Sequence, residues 1–257
     1  MSDEKDWAVI FREIFAGPAS PTEAMISRAV LGDEYPEGLD THSYVSRSEL
    51  RRIASEVRVG AGDTLVDLAC GRGGPGLLVA AETGAHLIGL DISDTAVGAA
   101  RARARAASLD HQAEFGIGTF EDTGLRTAAA DALMSVDSLL FTPDKRRAIA
   151  EMARVCRPGG RLVFTSWDYH SQPRGRPPQV DDHRPLLRDA GFDVLAYDET
   201  EGWRECQRRD GELLLEHVED LAAEDGTDPD ALRVAILEMN ATVETQIRRF
   251  LAVAVRR

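Results

Sequence analysis

The chain has 257 residues, 43% hydrophobic and 29% charged, an ordinary globular composition with enough length to bury a sizeable core. Lys plus Arg is 30 and Asp plus Glu is 44, so the formal charge of −14 disfavours nucleic acid or any other polyanionic partner. No apolar run approaches the roughly 20 residues of a membrane helix, and the polar, acidic start lacks a secretory pattern, so no membrane association and a cytoplasmic location are expected.

In chain order, Trp7, Ile10, Phe11, Ile14 and Phe15 recur at helical spacing and predict one apolar helix face, ended by Gly17-Pro18. A second helix is predicted over about 21–31. Residues 33–44 read as a loop. Ser48 is a candidate cap for a helix through Ser55, with Leu50, Ile53 and Val57 facing inward. From Gly60 the texture changes. Apolar runs at 65–69, 87–90, 113–117, 132–136, 162–165 and 194–197 alternate with helix patterns at about 75–83, 94–108, 144–156 and 182–190. Continuous apolar strands suit a sheet covered on both faces, and strand–helix alternation suits parallel βαβ units. Two helix-like stretches, about 203–224 and 228–246, break the alternation before a short strand candidate at 250–255.

The most informative segment is Val66-Asp67-Leu68-Ala69-Cys70-Gly71-Arg72-Gly73-Gly74-Pro75-Gly76. A buried strand runs into glycines, which allow a sharp turn and close approach of a ligand. A helix follows, whose first N–H groups are unpaired, and Pro75 suits its first turn. Asp91 lies 24 residues after Asp67, where the second strand ends, and an acid there can bind both hydroxyls of a ribose. Three readings compete: a structural tight turn, a nicotinamide-nucleotide site through the literal G-x-G-x-x-G of Gly71, Gly73 and Gly76, and S-adenosylmethionine. Asp67, at the strand end, would meet a pyrophosphate poorly and suits a cationic or amino-bearing ligand, which favours the last.

With these residues in view, the chain resembles the class I S-adenosylmethionine-dependent methyltransferases, especially the small-molecule branch that includes the ubiquinone and menaquinone biosynthesis enzymes. The resemblance covers about 60–168 and the closing strand. Val66–Gly76 is similar to the family's first motif and 89–93 to its second. Residues 115–122 resemble the adenine-contacting segment, and 151–162 the helix–turn–strand before the fifth strand. The resemblance implies an α/β, Rossmann-like, doubly wound, mostly parallel seven-stranded sheet with an antiparallel final strand. It also implies helical caps: 1–58 as an N-terminal cap or lid, 59–202 as the core, 203–246 as a helical insertion shaping the acceptor pocket and 247–257 as the final strand. It assigns Asp67, Gly71 and Gly73 to the methionine moiety, Asp91 to the ribose and Ala69 to the cofactor site. Ile92, Thr119 and Phe120 fall to the adenine, Ser135 beside the cofactor, and Tyr44 to a lid. Thr119 departs from the family's frequent Asp or Asn, and Gly76 is displaced behind Pro75.

Methyl transfer is an in-line displacement for which positioning supplies much of the acceleration, and a base is needed only if the acceptor loses a proton early. The strand ends select two segments. Asp137, after the fourth strand, is a candidate base or orienting group, or else a helix cap. His170, after the fifth, is a candidate base or else a surface histidine. Trp167, Tyr169 and His42 are candidates for the acceptor pocket. His183 and His111 are expected at a cap or on the surface. Arg101, Arg103 and Arg105 read as a solvated face, and 172–178 as a mobile loop. Cys70, Cys156 and Cys206 offer neither a disulfide framework nor metal-ligand spacing, so no metal is expected.

The expected activity is transfer of a methyl group from S-adenosylmethionine to O, N or C of a small-molecule acceptor, in specialised metabolism. The alternatives are a non-catalytic S-adenosylmethionine-binding partner or regulatory protein and an NAD(P)-dependent oxidoreductase. The oligomeric state stays open, a homodimer included.

Overall fold

The computed structural model describes residues 6–257; residues 1–5 of the acidic start lie outside the described residues. Leu65, Val66 and Leu68 alternate between the two faces of β1 (Thr64–Leu68), yet all three are buried. Helices on both sides explain why this strand is a continuous apolar run rather than an alternating one. The other strands are β2 (His86–Asp91), β3 (Ala113–Ile117), β4 (Ala130–Ser135), β5 (Cys156–Tyr169), β6 (Phe192–Glu199) and β7 (Gln246–Arg256). Across the sheet the order is β3-β2-β1-β4-β5-β7-β6, parallel except for β7, which runs antiparallel to both of its neighbours. The expected fold class is therefore the one observed.

The strand order reverses between β1 and β4, whose carboxyl ends lie side by side with Asp67 opposite Met134. That is where an open α/β sheet leaves a crevice for a ligand. On one face of the sheet, α3 (Arg47–Glu56), α4 (Gly74–Thr83) and α5 (Asp94–Ala106) bury Ile53, Val79 and Ala100. On the other, α6 (Lys145–Val155) and α7 (Arg184–Asp189) bury Ile149, Met152 and Leu187. The helix α3, expected within the N-terminal cap, thus packs as part of the core, because Leu50, Ile53 and Val57 reach the sheet layer. Its cap is Ser46, not Ser48. Ser46 and Glu49 form a reciprocal capping box, while the Ser48 N–H is taken by Glu34 at 2.7 Å.

The remaining helices form a cap over the strand ends. They are α1 (Trp7–Ile14), α2 (Pro21–Leu31), α8 (Trp203–Glu216), α9 (Val218–Asp225) and α10 (Pro229–Val243). The first of the two expected C-terminal stretches is split at His217, and Gly226, with φ +67°, ends α9. Ile26, Leu213 and Leu221 give this cap a small core of its own. A junction cluster of Leu140, Trp167, Tyr169, Trp203 and Val243 joins it to the sheet. β7 begins earlier than the expected 250–255, since Arg248 and Arg249 already pair with Asp168 and Trp167 of β5.

Candidate active site

The turn after β1 is wound by left-handed residues: Ala69 has φ +59°, Gly71 +53° and Gly73 +80°. Two backbone donors fix it to β2: the Gly71 N–H reaches Asp91 Oδ2 at 2.8 Å, and the Cys70 N–H reaches the Leu90 carbonyl at 3.0 Å. The Ser93 N–H holds the other Asp91 oxygen at 2.9 Å. The carboxylate is thereby aimed along the turn, and each oxygen keeps a lone pair for a further donor. Burial raises the Asp91 pKa above the ordinary carboxylate value.

Asp67 sits beneath this turn, 2% exposed, and its Oδ2 has no hydrogen-bond partner. Gly76 makes room for it: a Cβ there would lie 2.5 Å from that oxygen. Burial first, and the charge of Asp91 second, push the Asp67 pKa up to about 8, against the Gly76 amide. A buried carboxylate without a partner is costly, and an ammonium or sulfonium placed over it would remove that cost. These residues therefore fit a nucleoside with a cationic amino-acid tail.

A cavity of about 1260 Å³ opens over the turn. It exceeds the roughly 300–1,000 Å³ that one drug-sized ligand fills, which leaves room for a second molecule. Ala69, Gly71, Asp91, Ile92, Thr119 and Phe120, the expected cofactor contacts, all line this cavity. Ile92 is 37% exposed, apolar surface left open toward the cavity. The Thr119 hydroxyl accepts the Asp122 N–H at 3.0 Å, so it shapes its own loop. Two expected cofactor residues lie elsewhere. Gly73 is absent from the lining, and its missing side chain lets Ala100 and Phe115 pack against the turn. The Ser135 hydroxyl donates to the Leu68 carbonyl at 2.9 Å, clamping β4 to β1 below the cavity floor.

The N-terminal segments close the cavity from above. Phe15 on the end of α1 lies 3.5 Å from where a Cβ on Gly71 would be, and Trp7 and Phe11 each contact Phe141 at 4.8 Å between ring centroids. Arg72 and Arg103 both grip Asp40, at 3.0 and 3.2 Å, and Arg103 also donates to the Gly38 carbonyl. Arg103 is thus a clamp on the covering loop rather than part of a solvated face. Gly74 presses against the Leu39 carbonyl, where a side chain has no space.

The far end of the cavity overturns two expectations about chemistry. Asp137 lines it but is not free to act as a base. Both oxygens face Arg249, with Nε at 3.1 Å from Oδ1 and Nη2 at 3.1 Å from Oδ2. The Thr165 hydroxyl at 2.7 Å and the Tyr44 N–H at 3.0 Å take the remaining positions. Its φ of +52° belongs to a chain reversal locked by that pair. His170 is exposed, outside the cavity, with Nε2 2.8 Å from the Glu244 carbonyl. His183, expected at a cap or on the surface, is the N-cap residue of α7 but is fully buried, its Nδ1 2.8 Å from Asp168 on the opposite face of the sheet from Asp137. Register decides this: Arg248 and Arg249 are neighbours on β7 and point to opposite faces, one to Asp168 at 2.9 Å, the other to Asp137.

Tyr44, Trp167, Tyr169 and His42 do line the cavity. Tyr44 lies at the Trp167 end of the cavity rather than over the β1–α4 turn: its ring meets Trp167 edge-on at 6.2 Å, and its hydroxyl donates to Asp210 at 2.8 Å. Asp210, which the sequence did not single out, has its pKa raised by burial, while the Tyr44 bond and His42 oppose the shift. Trp167 Nε1, Tyr169 Oη, Gln207 Oε1 and Gln246 Oε1 are buried here without partners. No helix is long and apolar enough to cross a membrane, and no group of three or more metal-ligating side chains occurs, both among the described residues.

The sheet order, the switch-point crevice and the paired acids Asp67 and Asp91 define a nucleoside-binding protein of Rossmann-like fold. Residues 66–164 match a family described as a methyltransferase domain. The chain is 28% identical over 192 residues to a 27-O-demethylrifamycin SV methyltransferase of Amycolatopsis mediterranei, an alignment covering 65% of this chain and 71% of that one. It is 32% identical over 127 residues to a 24-methylenesterol C-methyltransferase 2 of Oryza sativa, covering 49% of this chain but only 35% of the relative. The aligned part is thus about a third of the sterol enzyme's length. Among solved structures, the cyclase SpnF superposes with a TM-score of 0.71 at 22% identity, over 93% of this chain and 98% of that one, a likeness of fold. Residues 66–164 thus form a methyltransferase domain, and the chain as a whole is similar in sequence and fold to methyltransferases acting on small molecules.

Proposed function

We propose that this protein binds S-adenosylmethionine over the β1–α4 turn and methylates a small molecule held at the cap end of the same cavity. The observation that carries the reading is the buried Asp67 carboxylate, its Oδ2 unpartnered, beside the left-handed turn at Gly71 and the aimed acid Asp91. Bound there, the cofactor would supply a methyl group on a sulfonium centre. Asp67 would hold the cationic amino-acid tail and Asp91 the ribose hydroxyls, while Ile92, Thr119 and Phe120 enclose the base. Phe11 and Phe15 cover the turn and exclude water from it. The acceptor end combines apolar walls from Ile26, Leu214 and Val243 with the Tyr44–Asp210 pair. Asp210 can orient an acceptor hydroxyl or amine and take its proton, the task the sequence pattern gave to Asp137 and His170. The chain's three cysteines are free thiols, which suits a reducing compartment such as the cytoplasm.

Calorimetry with S-adenosylhomocysteine tests the binding step. Heat of association should appear for the wild-type chain, should be lost in Asp91→Ala, and should be absent for NAD. Transfer is then tested with methyl-labelled cofactor and a panel of hydroxyl, amine and activated-carbon acceptors. Label in the small-molecule fraction is expected, and binding without transfer to any of them would favour a non-catalytic partner.

A further inference from the structure

Three arginines line the cavity, and two of them are neutralised. Arg28 pairs with Glu37 at 2.6 Å and Arg72 with Asp40 at 3.0 Å. Arg176 has no such partner among the described residues. Its guanidinium donates no hydrogen bond and has no carboxylate within ion-pair distance; it lies between two aromatic faces, 5.1 Å from the Trp7 centroid and 4.8 Å from that of Phe141. Stacking satisfies the face of a guanidinium and leaves its in-plane N–H donors free. Burial pulls its pKa below the ordinary value, against the phenols of Tyr169 and Tyr44.

The loop that carries Arg176 is wired in place rather than loose. Gln172 Nε2 lies 2.9 Å from the Arg176 carbonyl and 3.0 Å from that of Pro177, and its Oε1 accepts the Gln179 N–H at 3.0 Å. Gln179 in turn donates to the Leu140 carbonyl at 2.8 Å. Beside it, Tyr169 presents a buried hydroxyl with no partner to the same cavity. A fixed cation with free donors, beside a buried hydroxyl and with no carboxylate paired to it among the described residues, is a site prepared for an anion.

We propose that Arg176, assisted by Tyr169, anchors a carboxylate or phosphate group of the methyl acceptor, so that the acceptor carries an anionic group. This rests on the methyltransferase reading for the word acceptor, but the anion site itself is independent of it. The same chemistry could come from the carboxylate of the cofactor's amino-acid tail, and the experiment separates the two sources.

The full chain is titrated calorimetrically with benzoate and with inorganic phosphate, with and without saturating S-adenosylhomocysteine. At least one of these anions should bind the wild type, Arg176→Gln should weaken that binding at least tenfold, and Arg176→Lys should restore part of it. Tyr169→Phe should weaken it severalfold, and all variants should melt as the wild type does. The affinity for S-adenosylhomocysteine should not change in Arg176→Gln. The proposal is overturned if neither anion binds, or if Arg176→Gln binds them as well as the wild type. It is equally overturned if Arg176→Gln loses affinity for S-adenosylhomocysteine but keeps it for 5′-methylthioadenosine, which lacks the amino-acid tail. Failure of the nucleoside to bind at all would sink the methyltransferase reading instead, and the nucleoside-free titration would still report on Arg176.

Discussion

Arg249 of β7 and Asp137 after β4, 112 residues apart, meet in a buried two-pronged ion pair. The same guanidinium gives its Nη1 to Glu49 of α3 at 2.7 Å and to Thr200 at 2.8 Å. Asp137 also holds the Tyr44 N–H, so the entry to the cap is fastened to the centre of the sheet. Removing one partner strands a buried charge. Asp137→Ala or Arg249→Met should cost about 3–5 kcal/mol of stability in urea unfolding, and the double replacement should cost less than the sum. Strict additivity would mean the two groups are not coupled.

Asp67 makes nucleoside binding a proton-linked event. Its folded pKa of about 8 lies above the ordinary 3.8, so the unliganded fold keeps a proton there that the unfolded chain releases. This group's contribution to stability therefore declines as pH rises from about 4 to about 8. A cation bound to the carboxylate requires it ionised. At pH 7, S-adenosylhomocysteine should expel about one proton, read from calorimetry in buffers of different ionisation enthalpy. In Asp67→Asn that release should vanish, and an unchanged release would place the proton elsewhere.

Asp91 holds the Gly71 turn and is placed to grip the sugar. Losing two charge-assisted hydrogen bonds at about 1.5–3 kcal/mol each should raise the Kd for S-adenosylhomocysteine by about two orders of magnitude or more in Asp91→Ala. A change under threefold would show that the acid does not touch the ligand.

Two glycines should respond in opposite directions. Gly98 is exposed on α5 with nothing near the place of a Cβ, so Gly98→Ala should stabilise the fold by about 0.5–1 kcal/mol. Gly74→Ala drives a methyl group into the Leu39 carbonyl and should lower the melting temperature and loosen the loop over the turn. Thermal unfolding of the pair checks both signs.

Asp210→Asn should reduce turnover on an accepted substrate while leaving S-adenosylhomocysteine affinity intact, since it lies at the acceptor end. His170→Ala should change neither, because the imidazole is outside the cavity. Kinetics of the two variants side by side would reveal whether the proton acceptor has been misplaced.

Much of the β1–α4 turn was legible in the sequence, because it is local. Asp67, Gly71 and Asp91 sit at strand ends that short apolar runs announce, and the turn's left-handed residues follow from its glycines. The acceptor end was not. Arg176 stands in a Gly- and Pro-rich stretch that reads as loose, and only the Gln172 and Gln179 side chains hold it. Asp210 is one acid among many on an acidic helix until Tyr44 reaches it across the cavity.

The amino-acid pattern by itself determined most strands and helices and the glycine turn after β1, since burial on both faces and glycine torsions act over a few residues. Tertiary structure alone decided which charges are spent on architecture and which remain for a ligand. Asp137 and Arg176 are both charged residues on loops above the sheet. One is neutralised by an arginine from the far end of the chain and the other by no carboxylate among the described residues, because pairing across 112 residues depends on strand register and cap packing, which no local pattern encodes.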